Sequence, residues 1–264
     1  MTWTLRSEWT KLRTQRGTLI ALVVMCVLMV GMTAFFASQT RTDALVGGDD
    51  DVVQMGLAGI VFAQIAVVVA GASLITSEFG TGMIRTTLTA TQSRLRVLVA
   101  KSLVLVAVVL PLALLTSAAA FAVTQPLLHD RGYVAPAYPP VSITDPGAAR
   151  AVVGTGLLLT IYALIALGIG TILRHSGAAI ATGVGLLFLP FLFIGAFPDR
   201  IARRVEQLTP LAGMAVQSTT DRMLSPFDGG RGMPIGHWTG LGVACAWALG
   251  ALAIGYVCLR LRDA

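Results

Sequence analysis

Six stretches of this chain run for about twenty residues or more with almost no charged side chain: 17–38, 52–76, 97–124, 151–173, 176–197 and 238–259. A helix needs about 20 apolar residues to cross a hydrocarbon core roughly 30 Å thick. Lipid offers no partner to an unpaired backbone amide or carbonyl, so a crossing segment must satisfy its own backbone. The runs are continuously apolar and lack the two-residue alternation of barrel strands, which makes each of them a predicted helix. The expected fold is an all-α polytopic membrane protein with about six transmembrane helices, forming a single transmembrane domain over 1–264. Composition agrees, with 55% hydrophobic and 12% charged residues, against roughly a quarter charged in soluble domains. The run at 17–38 follows a polar stretch containing Glu8 and is not followed by an A-x-A site, so it reads as a retained span.

Arginine and lysine set the orientation. Arg6, Lys11, Arg13 and Arg16 precede the first span, while the loop after it carries Arg41 among Asp43, Asp49, Asp50 and Asp51. Arg85, Arg94, Arg96 and Lys101 then follow the second span. Basic residues favour the cytoplasmic side, which places the N-terminus and residues 77–96 inside and, by alternation, the C-terminus inside as well. Residues 125–148 and 199–237 become external loops. The second of these runs against the bias, because it contains Arg200, Arg203, Arg204, Arg222 and Arg231. Five prolines in 125–148 argue against continuous helix there. Leu208 to Val216 is apolar but too short to span, so it lies at the interface or re-enters. The net charge of +6 sits beside apolar segments, where it serves orientation and not nucleic-acid binding.

Several chemistries find no support in the chain. No run carries an ionisable group near its centre, as proton-driven carriers require. Neither a nucleophile–base pair nor a ligand set for a metal is visible, with Cys26, Cys245 and Cys258 in apolar runs and His129, His175 and His237 scattered. The phosphate-binding loop G-x-x-x-x-G-K-[ST] is absent. The chain is not expected to be an enzyme by itself, and uphill movement would draw its energy from a partner.

Two segments outside the spans have character. Residues 1–16 form a predicted amphipathic helix in which Met1, Leu5, Trp9 and Leu12 share a face, with Leu5, Trp9 and Leu12 expected at the membrane interface. The other segment is Ser77 to Lys101, between the second and third spans. Gly80 and Gly82 permit a sharp redirection. A short helix over Met83–Thr89 would put Ile84 and Leu88 on one side with Arg85 beside them. Ser93 is placed to cap the next helix, and Arg94 and Arg96 to anchor it. An apolar ridge with a glutamate at its entry suits docking on another protein; an ordinary basic loop is the plainer alternative.

The Ser77–Lys101 hook resembles that of the permease subunits of type-2 ABC transporters. The resemblance rests on Glu78 leaving the second span, Gly80 or Gly82 with Thr81, a short helix carrying Arg85 and Leu88, then Arg94, and Lys101 entering the third span. Ser7 to Thr14 and the closing Leu259 to Ala264 are similar to the ends of many actinobacterial members, and the six-span layout matches. No proline precedes Ser93, where relatives often have one.

The resemblance implies a multi-pass plasma-membrane protein that pairs with a second permease, identical or homologous. Two copies of a separate ATP-binding subunit would drive it, and they would carry the ATP and magnesium, while this chain binds no cofactor. Glu78, Phe79, Gly80, Gly82, Ile84, Arg85, Leu88 and Arg94 would form the ATPase-coupling element. Most relatives export, and the uncharged spans suit a hydrophobic or lipid-like cargo. A non-transporting membrane scaffold or assembly protein is the alternative reading.

Overall fold

The computed structural model describes residues 2–40, 51–90, 93–135, 138, 140–193, 198–219 and 235–261. In chain order its helices are α1 (Thr2–Thr14), α2 (Arg16–Gln39), the single turn α3 (Val52–Met55), α4 (Ile60–Gly80), α5 (Met83–Ala90), α6 (Arg94–Asp130), α7 (Pro146–Leu173), α8 (Ser176–Phe193), α9 (Asp199–Leu208) and α10 (His237–Leu261). A 3-10 segment, Pro210–Gln217, lies between the last two. No strand occurs among the described residues. The protein is an all-α polytopic membrane protein. Among the described residues five helices are long and apolar enough to cross a membrane: α2, α4, α6, α7 and α10. The sixth run, 176–197, is helical as far as Phe193, and residues 194–197 lie outside the described residues.

α7 forms the axis of the bundle, buried on nearly all sides, whereas α2 and α10 keep most of their surface facing outward. That is what an apolar medium permits: lipid tails do not drive helices together, so helices associate through close backbone packing at small residues. Gly71 of α4 lies against the main chain of α7, where an added Cβ would run into the Ala163 carbonyl. Pro111 and Pro126 lie within α6, which continues through both. At 37 residues and 1.5 Å per residue, α6 is about 55 Å long and overshoots the hydrocarbon core.

Three boundaries differ from the sequence reading. The run from 52 is broken: Asp51 caps α3 by accepting from the Val53 and Gln54 amides, a turn follows, and α4 begins at Ile60. The Gly59 amide in that turn is held by the Thr33 hydroxyl, 2.9 Å away. α6 extends to Asp130 and α7 starts at Pro146, which shortens the expected 125–148 loop; Pro146 opens α7, a position where a missing N–H costs nothing. Finally, 199–237 is more than a loop, since it contributes α9 and the 3-10 segment. Every residue of Pro210–Gln217 is buried, placed between α7 and α10. The Tyr162 hydroxyl donates to the Pro210 carbonyl at 3.2 Å, and His237 Nδ1 lies 2.9 Å from the Ala215 carbonyl. Gly240 packs on the Ala212 carbonyl with no room for a side chain. For 208–216 the structure thus shows a segment that, from Pro210 on, is enclosed by the chain's own helices.

Candidate functional site

At one end of the bundle α1, the end of α4, α5 and the start of α6 converge, and four charged side chains meet there. Glu8 and Lys11 lie one turn apart on α1, an i,i+3 pair with 2.8 Å between them. Glu78 comes from the last turn of α4 and Lys101 from the second turn of α6. Lys101 Nζ contacts Glu8 Oε2 at 2.6 Å and Glu78 Oε1 at 2.7 Å. Lys11 Nζ contacts Glu78 Oε1 at 2.9 Å. Each carboxylate therefore touches both ammonium groups, and the quartet sums to zero charge. Glu8, Glu78 and Lys101 are buried; only Lys11 retains appreciable exposure.

Burial works against the Lys11 ammonium, but hydrogen bonds to Glu8 and Glu78 and the charges of both outweigh it, leaving its pKa above the ordinary 10.5. Charges removed from water this way add little net stability, but removing one member leaves an uncompensated buried charge, which is expensive. The quartet thus acts as a geometric lock between elements distant in sequence. Its reach includes the hook, because Lys11 Nζ also donates to the Thr87 hydroxyl on α5 at 3.1 Å. A second tie lies beside it: Gln15, in the break between α1 and α2, donates through Nε2 to the Ser73 carbonyl at 2.8 Å and the Ser77 hydroxyl at 2.7 Å.

The C-terminal end of α10 is bound to the same base. Arg94 donates to the Leu259 carbonyl and, at 2.9 Å, to the Arg260 carbonyl. Arg174 donates to the Cys258 carbonyl at 3.3 Å. Both guanidiniums meet the negative end of the α10 dipole. Arg174, in the left-handed conformation with φ 57°, also lies 5.1 Å above the Phe79 ring, within cation–π range.

The expected coupling residues therefore divide. Glu78 is held by Lys101 and Lys11. Phe79 lies under Arg174, and Arg94 caps α10, so all three tie helices of this chain to one another. Gly82 takes the turn, with φ 72°, whereas Gly80 closes α4 in helical conformation; the redirection needs one glycine. Ser93 caps α6, its hydroxyl accepting from the Arg96 amide at 3.4 Å. The expected outward ridge of α5 is not formed by Ile84, which is 4% exposed and belongs to the core. Met83 (43% exposed) and Thr86 face out instead. The Arg85 and Leu88 side chains lie outside what the structure describes. On α1, Leu12 is buried and Leu5 packs against the core, so of the three expected interface residues Trp9 alone is exposed. Glu8 and Lys11 were missed as site residues, although the pattern held a signal: Glu8 falls at i+3 from Leu5 and four before Leu12, on the stripe that faces the bundle.

Residues 4–135, half of the chain, match the family described as ABC-2 family transporter protein. The chain belongs to this ABC-2 transporter family. All four members of the quartet, the hook and Arg94 fall inside the matched segment. No curated protein gives a match. Membership makes the chain an ABC transporter permease, a membrane subunit of transport that is not itself catalytic, and implies association with an ABC ATP-binding subunit.

Proposed function

We propose that this ABC-2 permease works as half of an exporter for a hydrophobic small molecule or lipid-like cargo. In this reading α5 faces the cytoplasm and receives one ATP-binding subunit. Two permeases, identical or homologous, then pair around a central pathway served by two such subunits. Closure of the ATP-binding pair displaces α5, and the displacement reaches the spans through the charged base.

The supporting observation is that Lys11 ties α5 to the same carboxylates that Lys101 holds. Apart from Ile84, which packs into the core, α5 is a short helix on a glycine turn. Fastened this way it becomes continuous with α1, α4 and α6, and a push on it has somewhere to go. Its described outward side chains, Met83 and Thr86, form the contact face; a helix laid in a groove through a few such side chains is a common docking mode.

Because Ile84 belongs to the core, an aspartate there would test folding, not docking. The informative variant is Met83→Asp with Thr86→Arg. It is expected to insert and remain folded while failing to co-purify with the ABC ATP-binding subunit and losing transport. A variant that retains the subunit and transports at the parental rate would remove α5 as the docking element.

A further inference from the structure

The 3-10 segment fixes the depth of α9, at the end of the bundle opposite the hook. The Trp247 indole donates to the Leu208 carbonyl at 2.8 Å. Trp247 is ten residues into α10, so at 1.5 Å per residue the end of α9 lies about 15 Å below the start of that helix. Trp238, one residue into α10, is 57% exposed, as is usual for an indole at headgroup level. α9 itself has 10 residues, and its C-terminal end, at Leu208, is held at that depth.

Its sides are sharply divided. Ala202 and Glu206, one turn apart, are buried against the chain. On the outward flank Ile201 is 49% and Leu208 67% exposed, two turns apart on one line. Arg200 and Arg204, one turn apart, are exposed on the adjoining line, and neither has a partner among the described residues. An arginine facing acyl chains at this depth is costly unless its long stem carries the guanidinium up to the interface. A cationic line beside an apolar line is the complement of one molecule with an anionic head and hydrocarbon tails. A water-filled pathway would match the arginines and leave Ile201 and Leu208 wet.

We propose that the outward flank of α9 binds an anionic glycerophospholipid of the adjoining leaflet. Arg200 and Arg204 hold its phosphate, and Ile201 and Leu208 lie along its chains. Arg200, Arg203 and Arg204, which oppose the orientation bias in the sequence, belong to this helix. For the two exposed arginines, a lipid headgroup supplies a local reason to be there.

The test uses the full permease in vesicles of phosphatidylcholine with a minority of phosphatidylglycerol. Spin-labelled forms of each lipid measure their relative association with the protein. Phosphatidylglycerol is expected to be preferred, with a loss of up to about fivefold for each arginine neutralised. Arg200→Gln with Arg204→Gln should lower the preference to the share left by the basic residues beside the hook, and Arg200→Lys with Arg204→Lys should retain most of it. A nitroxide at Ile201 should be relaxed by oxygen and not by an aqueous nickel chelate. The proposal is overturned by an unchanged preference in the glutamine variant. It is equally overturned by access of the nickel chelate, which would make the flank part of an aqueous pathway, or by shielding from both reagents, which would place a second copy against it.

Discussion

Lys101 is held out of water between two carboxylates, so its replacement cannot be absorbed locally. Lys101→Met leaves Glu8 and Glu78 buried beside the single, partly exposed Lys11. A loss of about 3–5 kcal/mol is expected, read as a lower midpoint of thermal unfolding in detergent. Adding Glu78→Gln should recover much of it, because the buried charges again balance. Lys11 behaves differently with pH. Its folded pKa is raised, so its contribution is complete below the unfolded value of 10.5 and is lost as pH rises through the higher folded value. The stability difference between the parent and Lys11→Met is therefore expected to stay constant from about pH 6 to 9 and to shrink only above that. A difference that changed within the neutral range would contradict the quartet. The sequence exposed Glu78 and Lys101 as unusual but not their partners: Lys11 is 67 residues from Glu78 and Lys101 is 93 from Glu8. An ion pair of that separation leaves no local pattern. The stripe of Leu5, Glu8 and Leu12 was the legible part.

At the scale of elements, what sequence revealed follows the reach of the forces. Long apolar runs define spans through the cost of unpaired backbone in lipid, and Ser93 marks the start of α6 by the same capping that operates in water. The buried 3-10 segment was legible only as a run too short to cross, since its burial depends on Gly240, Gly154 and Gly213 making room on three different stretches of chain. The place of Ile84 on α5 was misjudged because periodicity identifies an apolar side of a helix without saying whether the chain itself covers it. Close packing on α7 gives a direct check. Gly71→Ala must push α4 away from the Ala163 carbonyl and is expected to cost about 1–3 kcal/mol. Gly250→Ala, on the open side of α10, should be neutral or slightly stabilising, as alanine is the better helix former. Equal effects of the two in thermal unfolding would contradict the packing of α4 on α7.

For the whole molecule, a charged base closes one end of the bundle, and the buried 3-10 segment with α9 lies away from it, against α10. Its orientation is open to labelling in a background without Cys26, Cys245 and Cys258. Thr144→Cys, exposed between α6 and α7, should react with an impermeant reagent on intact cells, and Thr81→Cys, exposed at the hook, should react only after lysis. The reverse result would invert the protein and remove the hook from the cytoplasm. α5 is the proposed meeting place of an ABC ATP-binding subunit and this permease. It is tested most directly by a photo-crosslinking residue in place of Met83, with the same residue in place of Trp238 as control. A covalent adduct with the ATP-binding subunit is expected from position 83 and none from 238. An assembled, transporting complex that gives no adduct from 83 would contradict it.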